Sequence, residues 1–227
     1  MPTVNPWLSL SFSDPIIAPC DQKEILKLRP ADRKKLYLDL FPEPYIGDPD
    51  ADVYLLNGNP GFSDLDNCFS CSSTLSSIMK EIYSHKNKDF LWNDPNNPIK
   101  ATCPITKRKI IAQGQVYWQK RLKELSKAVN NYHLKLFNLE FYPYHSKTFL
   151  PFMQKPLPSF EYTRDLVIDA MSKGKMIIIL RLKDIWKSAI PELKEYTTYS
   201  LNSHRSTYLT QKNLGDSAWK LLTQKCK

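Results

Sequence analysis

DVYLLNGNPGFSDLD, Asp52 to Asp66, is the stretch on which the fold turns. Its apolar run from Val53 to Leu56 predicts a buried strand, which Asn57-Gly58-Asn59-Pro60-Gly61 stops abruptly in a tight polar turn. Gly58 and Gly61 can take backbone angles closed to other residues, Pro60 fixes one dihedral, and Asn59 is held between them in a nearly predetermined direction. The stretch is either an ordinary strand-to-loop turn or a strand end that carries chemistry.

Working outward, the same alternation recurs. Leu75, Ile78, Met79 and Ile82 repeat at helical spacing, as do Trp118, Leu122, Leu125 and Val129. HLKLFNLEF, His133 to Phe141, alternates as a strand and runs into Tyr142-Pro143-Tyr144-His145-Ser146. Ser159 is placed to cap a helix carrying Tyr162, Leu166, Val167, Ala170 and Met171, which Gly174 closes. MIIILRL, Met176 to Leu182, is the most apolar and so the most central strand. A short helix from Asp184 to Ala189, a strand from Tyr196 to Leu201, the loop Asn202 to Ser206 and a helix around Ala218 to Leu222 follow. This order predicts an α/β fold, a three-layer α/β/α sandwich with a central four-stranded parallel sheet.

A chain of 227 residues without a low-complexity linker reads as one domain, 1–227. Residues 1–50 form an N-terminal helical extension packed on it. There Asp21 and Glu24 suggest a capping box on a helix ended by Pro30, with a second helix through Leu36 and Leu40. Tyr45 and Ile46 are expected to tuck against the core. The Asn-, Pro- and Lys-rich region from Ser84 to Gly114 is too long for a simple connection, and Phe90 and Trp92 favour a functional loop over a loose insert.

The 32 Lys plus Arg against 23 Asp plus Glu give a net charge of +9, which favours a polyanionic partner, here DNA. The basic run Lys107-Arg108-Lys109 is a solvated face or a track for that partner. No apolar run approaches the ~20 residues that span a bilayer, and no secretory signal opens the chain, so a cytoplasmic monomer without membrane contact is expected. Five cysteines, Cys68 and Cys71 in a CxxC among them, lack the second close pair that a zinc site wants, and no metal or cofactor is expected.

Right-handed crossovers bring the four strand ends to one edge, where α/β sheets hold ligands. Asn59, Asn138 with the Tyr142 to Ser146 segment, Arg181 and the Asn202 to Ser206 loop would meet there. His145 could stabilise an anionic leaving group or contact phosphate, or equally be a capped loop histidine, and the Arg205 fork suits phosphate geometry. Asn59 could equally brace its own turn, and Asn138 a neighbouring strand.

Strand-Gly58-Asn59-Pro60-Gly61, a second strand bearing Asn138 and a late strand entering a His- and Ser-containing loop together resemble the uracil-DNA glycosylase superfamily. The turn is similar to the first motif of its mismatch-specific and single-strand-selective branches, and the chain looks closer still to uncharacterised bacterial proteins of this fold. The resemblance implies a DNA-binding protein that hydrolyses the N-glycosidic bond of uracil or another modified base. The alternative is a non-catalytic nucleic-acid or nucleotide-binding module. By the resemblance, Asn59 positions the attacking water, Asn138 reads the base edge, and Phe62, Phe69 or Phe90 stacks on the base beside Tyr142. His204-Arg205-Ser206 then stands where the family has His-Pro-Ser, without the proline.

Overall fold

The computed structural model describes residues 3–68, 73–90, 93–102, 107–203 and 206–226. Its centre is a mixed sheet of five strands, β1 (Tyr45–Gly47), β2 (Val53–Asn57), β5 (Phe137–Glu140), β6 (Met176–Ile179) and β7 (Thr198–Ser200), in the order β1-β5-β2-β6-β7. β5, β2, β6 and β7 are mutually parallel, and β1 is antiparallel to β5 with Tyr45 opposite Leu139. Every residue of β2, β5 and β6 is buried, as expected of parallel strands covered on both faces.

The sheet therefore has five strands, not four. β1 escapes pattern reading because three residues between Pro44 and Pro49 are too few to show a period. It is held by pairing with β5, and by Gly47, whose φ of 101° lies in the left-handed region. A Cβ at Gly47 would run into the Leu136 carbonyl.

Helices α3 (Ser73–Tyr83), α4 (Gln113–Val129), α5 (Phe160–Ser172), α6 (Lys183–Ala189) and α8 (Asp216–Lys225) fall where the periodicities place them, and a short α7 (Gln211–Leu214) precedes the last. The long region before α4 is not an irregular loop. It holds a two-stranded hairpin, β3 (Lys100–Thr102) with β4 (Lys109–Ile111). Lys109 lies in β4 and is exposed. Phe90 is buried edge-on against Trp118 at 5.1 Å, and Trp92 lies outside the described residues.

The first fifty residues are less helical than expected. Besides a 3-10 turn at Pro6–Ser9, the described residues there form the short helices α1 (Gln22–Lys27) and α2 (Pro30–Arg33), and Leu36 and Leu40 are buried in turns beyond α2. Pro30 opens α2 at a position where its missing N–H costs nothing. Asp21 makes no cap. Its carboxylate is fully buried, accepts from the Ser159 N–H at 2.8 Å and the Tyr144 hydroxyl at 2.9 Å, and ties the N-terminal segment to the start of α5. A carboxylate that can satisfy two buried donors does more there than on a helix end in water.

Trp186 on α6 is fully buried, packs edge-on against Phe141 at 5.2 Å, and donates from Nε1 to the Asn57 carbonyl at 2.7 Å. It fixes the end of β2 where the polar turn begins. Trp186→Ala is expected to cost about 3–5 kcal/mol. Chemical denaturation measures it, and a loss under about 1 kcal/mol would show that α6 does not hold this strand end.

Candidate functional site

A cavity of about 360 Å³ opens at the carboxyl ends of β2 and β5. Asn57 and Glu140, register partners at the last positions of those strands, form its floor. Glu140 is 5 % exposed. Its Oε1 accepts from Asn57 Nδ2 at 3.1 Å and from Asn138 Nδ2 at 2.9 Å, whereas the buried Oε2 has no protein partner. Burial pushes its carboxyl up to about 8, with the Glu43 charge adding to the shift and the two amides and Arg181 opposing it.

Asn59 Nδ2 donates to the Pro60 carbonyl at 2.7 Å and to Ser146 Oγ at 2.9 Å. A carbonyl only accepts, so the amide nitrogen must face it, and Asn59 Oδ1 is the atom left to accept from a ligand or water. The Ser146 hydroxyl donates to the Thr148 carbonyl at 2.7 Å, and the Tyr142 N–H donates to the Gly58 carbonyl at 2.9 Å. The two polar loops are thereby stitched together. Gly58 and Gly61 are absent from the residues at positive φ. At Gly58 a Cβ would lie 3.1 Å from Leu182 Cδ1, a tight contact with the end of that side chain.

His145 walls the cavity with both ring nitrogens engaged, Nδ1 at 2.7 Å from the Gly61 oxygen and Nε2 at 3.0 Å from the Phe41 oxygen. Glu43 Oε1 is 3.7 Å from Nε2. Desolvation raises the Glu43 and Asp66 carboxyls above their ordinary values, and His145 opposes the shift in each. Phe62 forms an aromatic wall, its ring stacked on Tyr37 with centroids 3.3 Å apart. Lys120, Arg121, Lys147 and Arg181 bring positive charge to the lining. Arg121 lies 3.3 Å over the Tyr117 ring and 5.2 Å from that of the exposed Tyr208, and donates to Thr207 Oγ1 at 2.8 Å. A second hollow of about 710 Å³ shares Asn59, Phe149 and Arg181 with the first and reaches Asn202 and Ser203 after β7.

Of the residues singled out by sequence, Asn59, Phe62, His145 and Arg181 line the one cavity. Asn138 does not. It sits one step deeper on the same strand and holds Glu140. Phe90 and Tyr142 are core residues, Tyr142 packed against Tyr144 and Phe152. His145 has no ring nitrogen left for a leaving group or phosphate. Ser206 braces its loop through backbone bonds to Ser203 and Asn213 and is not part of the cavity lining. His204, Arg205, Phe69, Cys71 and Cys103 lie outside the described residues. Asn57, Glu140, Glu43, Asp66 and Arg121 were missed. The signal for the first two was a polar residue closing each apolar strand.

Among the described residues no three His, Cys, Asp or Glu side chains converge as a metal site requires, and no helix is long and apolar enough to cross a membrane. The chain matches no protein-family model, no curated protein and no solved structure.

Proposed function

We propose that the protein binds DNA, takes a single base into the cavity and hydrolyses its N-glycosidic bond, as its resemblance to the uracil-DNA glycosylase superfamily implies. The observation that carries this is the Asn59 amide at a strand end, with its N–H groups tied down and Oδ1 left as an acceptor on the cavity surface. Such an oxygen orients a water toward the sugar carbon while the Phe62 ring walls the base. Excision by a largely dissociative route needs little more than a held base, a placed water and hydrogen bonds to the departing anion. The cavity volume falls in the range of small-molecule sites, and the cations in its lining meet the phosphates that flank a flipped base.

The alternative, binding without hydrolysis, is favoured by one observation. Both Asn59 N–H groups and both His145 nitrogens are spent on protein partners, which is how a purely structural turn would be built. Oligonucleotides carrying uracil, hypoxanthine or alkylated bases, single- and double-stranded, separate the two. Released base supports excision, binding without release supports the alternative, and the absence of both release and binding excludes a nucleic-acid role.

Binding is expected to weaken steeply with salt, each neutralised phosphate contributing about −0.7 to −0.9 to the slope of log affinity against log salt. Arg181, exposed at the junction of the two hollows, should account for one such increment, so Arg181→Gln lowers the slope by about that amount. Binding indifferent to salt in the unsubstituted protein would refute this.

A further inference from the structure

Glu140 is the buried polar group that the excision chemistry above leaves unused. Two amide donors, Asn57 Nδ2 and Asn138 Nδ2, converge on Oε1 and fix which oxygen accepts. Oε2 is buried without a protein partner, on a residue that lines the cavity floor. An ionised Oε2 there would be a buried, unpaired charge, which costs far more than a neutral hydroxyl that can donate to a ligand. We infer, resting on the base-cavity reading, that Glu140 is a specificity-determining residue that reads the bound base as a neutral acid, donating from Oε2 to a hydrogen-bond acceptor on the base edge.

Glu43, on the loop before β1, disfavours ionisation of Glu140, and Arg181, after β6, favours it. His145, Asp66, Lys120, Arg121 and Lys147 also line the same cavity. The carboxyl titrates near pH 8, so the donor is present at neutral pH and lost in mild alkali. A base that presents an acceptor binds when Glu140 carries its proton. Once the proton leaves, carboxylate and acceptor oppose each other.

Calorimetric titration of the full chain with free uracil and free hypoxanthine at pH 6.5 and pH 9.5 tests this, with Glu140→Gln and Glu140→Ala alongside. For the unsubstituted protein, affinity is expected to fall by about 10–100-fold between the two pH values, the worth of one buried hydrogen bond. In Glu140→Gln an amide N–H stands where the carboxyl hydrogen stood, so the pH dependence should shrink to that of the free base's own ionisation. Glu140→Ala should bind weakly at both pH values, and if it fails to fold, the glutamine variant still decides. Affinity independent of pH in the unsubstituted protein, or an unchanged pH dependence in Glu140→Gln, overturns the role of Glu140 while leaving the base cavity standing. If neither base binds at either pH, the base-cavity reading fails and this inference fails with it.

Discussion

Asn59→Ala is expected to lower base release by about 10²–10³-fold while leaving DNA affinity within a few-fold of the unsubstituted protein. The substitution removes Oδ1, the Asn59 side-chain atom without a partner among the described residues, together with the two N–H bonds to Pro60 and Ser146. Those bonds set the structural cost. Each partly buried hydrogen bond is worth about 1 kcal/mol, so losing both costs about 2 kcal/mol, or about 4–8 °C of melting temperature in a chain of this size. Chemistry and stability can therefore be told apart by magnitude. Base release beside a thermal melt reads both. If release falls only in proportion to the stability loss, Asn59 braces its turn and does not place a water.

Folding stability is expected to fall as pH rises from mildly acidic to mildly alkaline. Glu140 has its carboxyl raised from the ordinary 4.5 to about 8, so between those values the native protein keeps a proton that the unfolded chain has released. Its contribution is complete below pH 4.5 and is lost as pH climbs to about 8, at up to about 1.4 kcal/mol per pH unit. Glu43 and Asp66 are shifted in the same direction and add to the same slope. Asp50 and Asp165, lowered by Lys88 and Thr3, act oppositely, since what they contribute is lost only as pH falls into the acid range. Asp50 is exposed and Asp165 half-buried, and the His85 imidazole, which burial holds below its ordinary 6.5, adds stability as pH climbs toward that value, so the decline is steepest above pH 6.5. Urea denaturation at pH 5.5, 7.0 and 8.5 should show the decline, and Glu140→Gln should flatten it. Stability that holds level or rises across this window would mean that Glu140 is ionised in the folded state.

The parallel strands were legible because each is a short apolar run followed by Gly, Pro or polar residues, and chain order alone brought their ends together. The floor of the cavity was not. In HLKLFNLEF the polar positions read as a solvent face, yet β5 is covered on both sides, so Asn138 and Glu140 are both buried. Which of them meets the cavity depends on a two-residue step along the strand, and periodicity cannot fix how far a strand protrudes. Phe62 and Phe90 show the same limit. Both are aromatic residues in irregular segments, one walling the cavity beside Tyr37, the other pinned to Trp118, and nothing local distinguishes them. The walls contributed by Glu43 and Arg121 come from segments remote from the Asn59 turn, where only tertiary packing reveals the neighbour.

The Phe41 carbonyl meets His145 Nε2 across 104 positions of chain, and the Tyr37 N–H meets the His145 carbonyl across a similar span. On the ribosome, the segment that walls the cavity is made first and waits for its partners. Asp21 stays in water until Ser159 emerges, and Glu43 until the loop after β5 has been made. Arg181 completes the rim later still. The nascent chain thus offers no base-binding surface until β5 and the loop after it have been made, and a fragment stopped before β6 would carry the lining of the first cavity without Arg181.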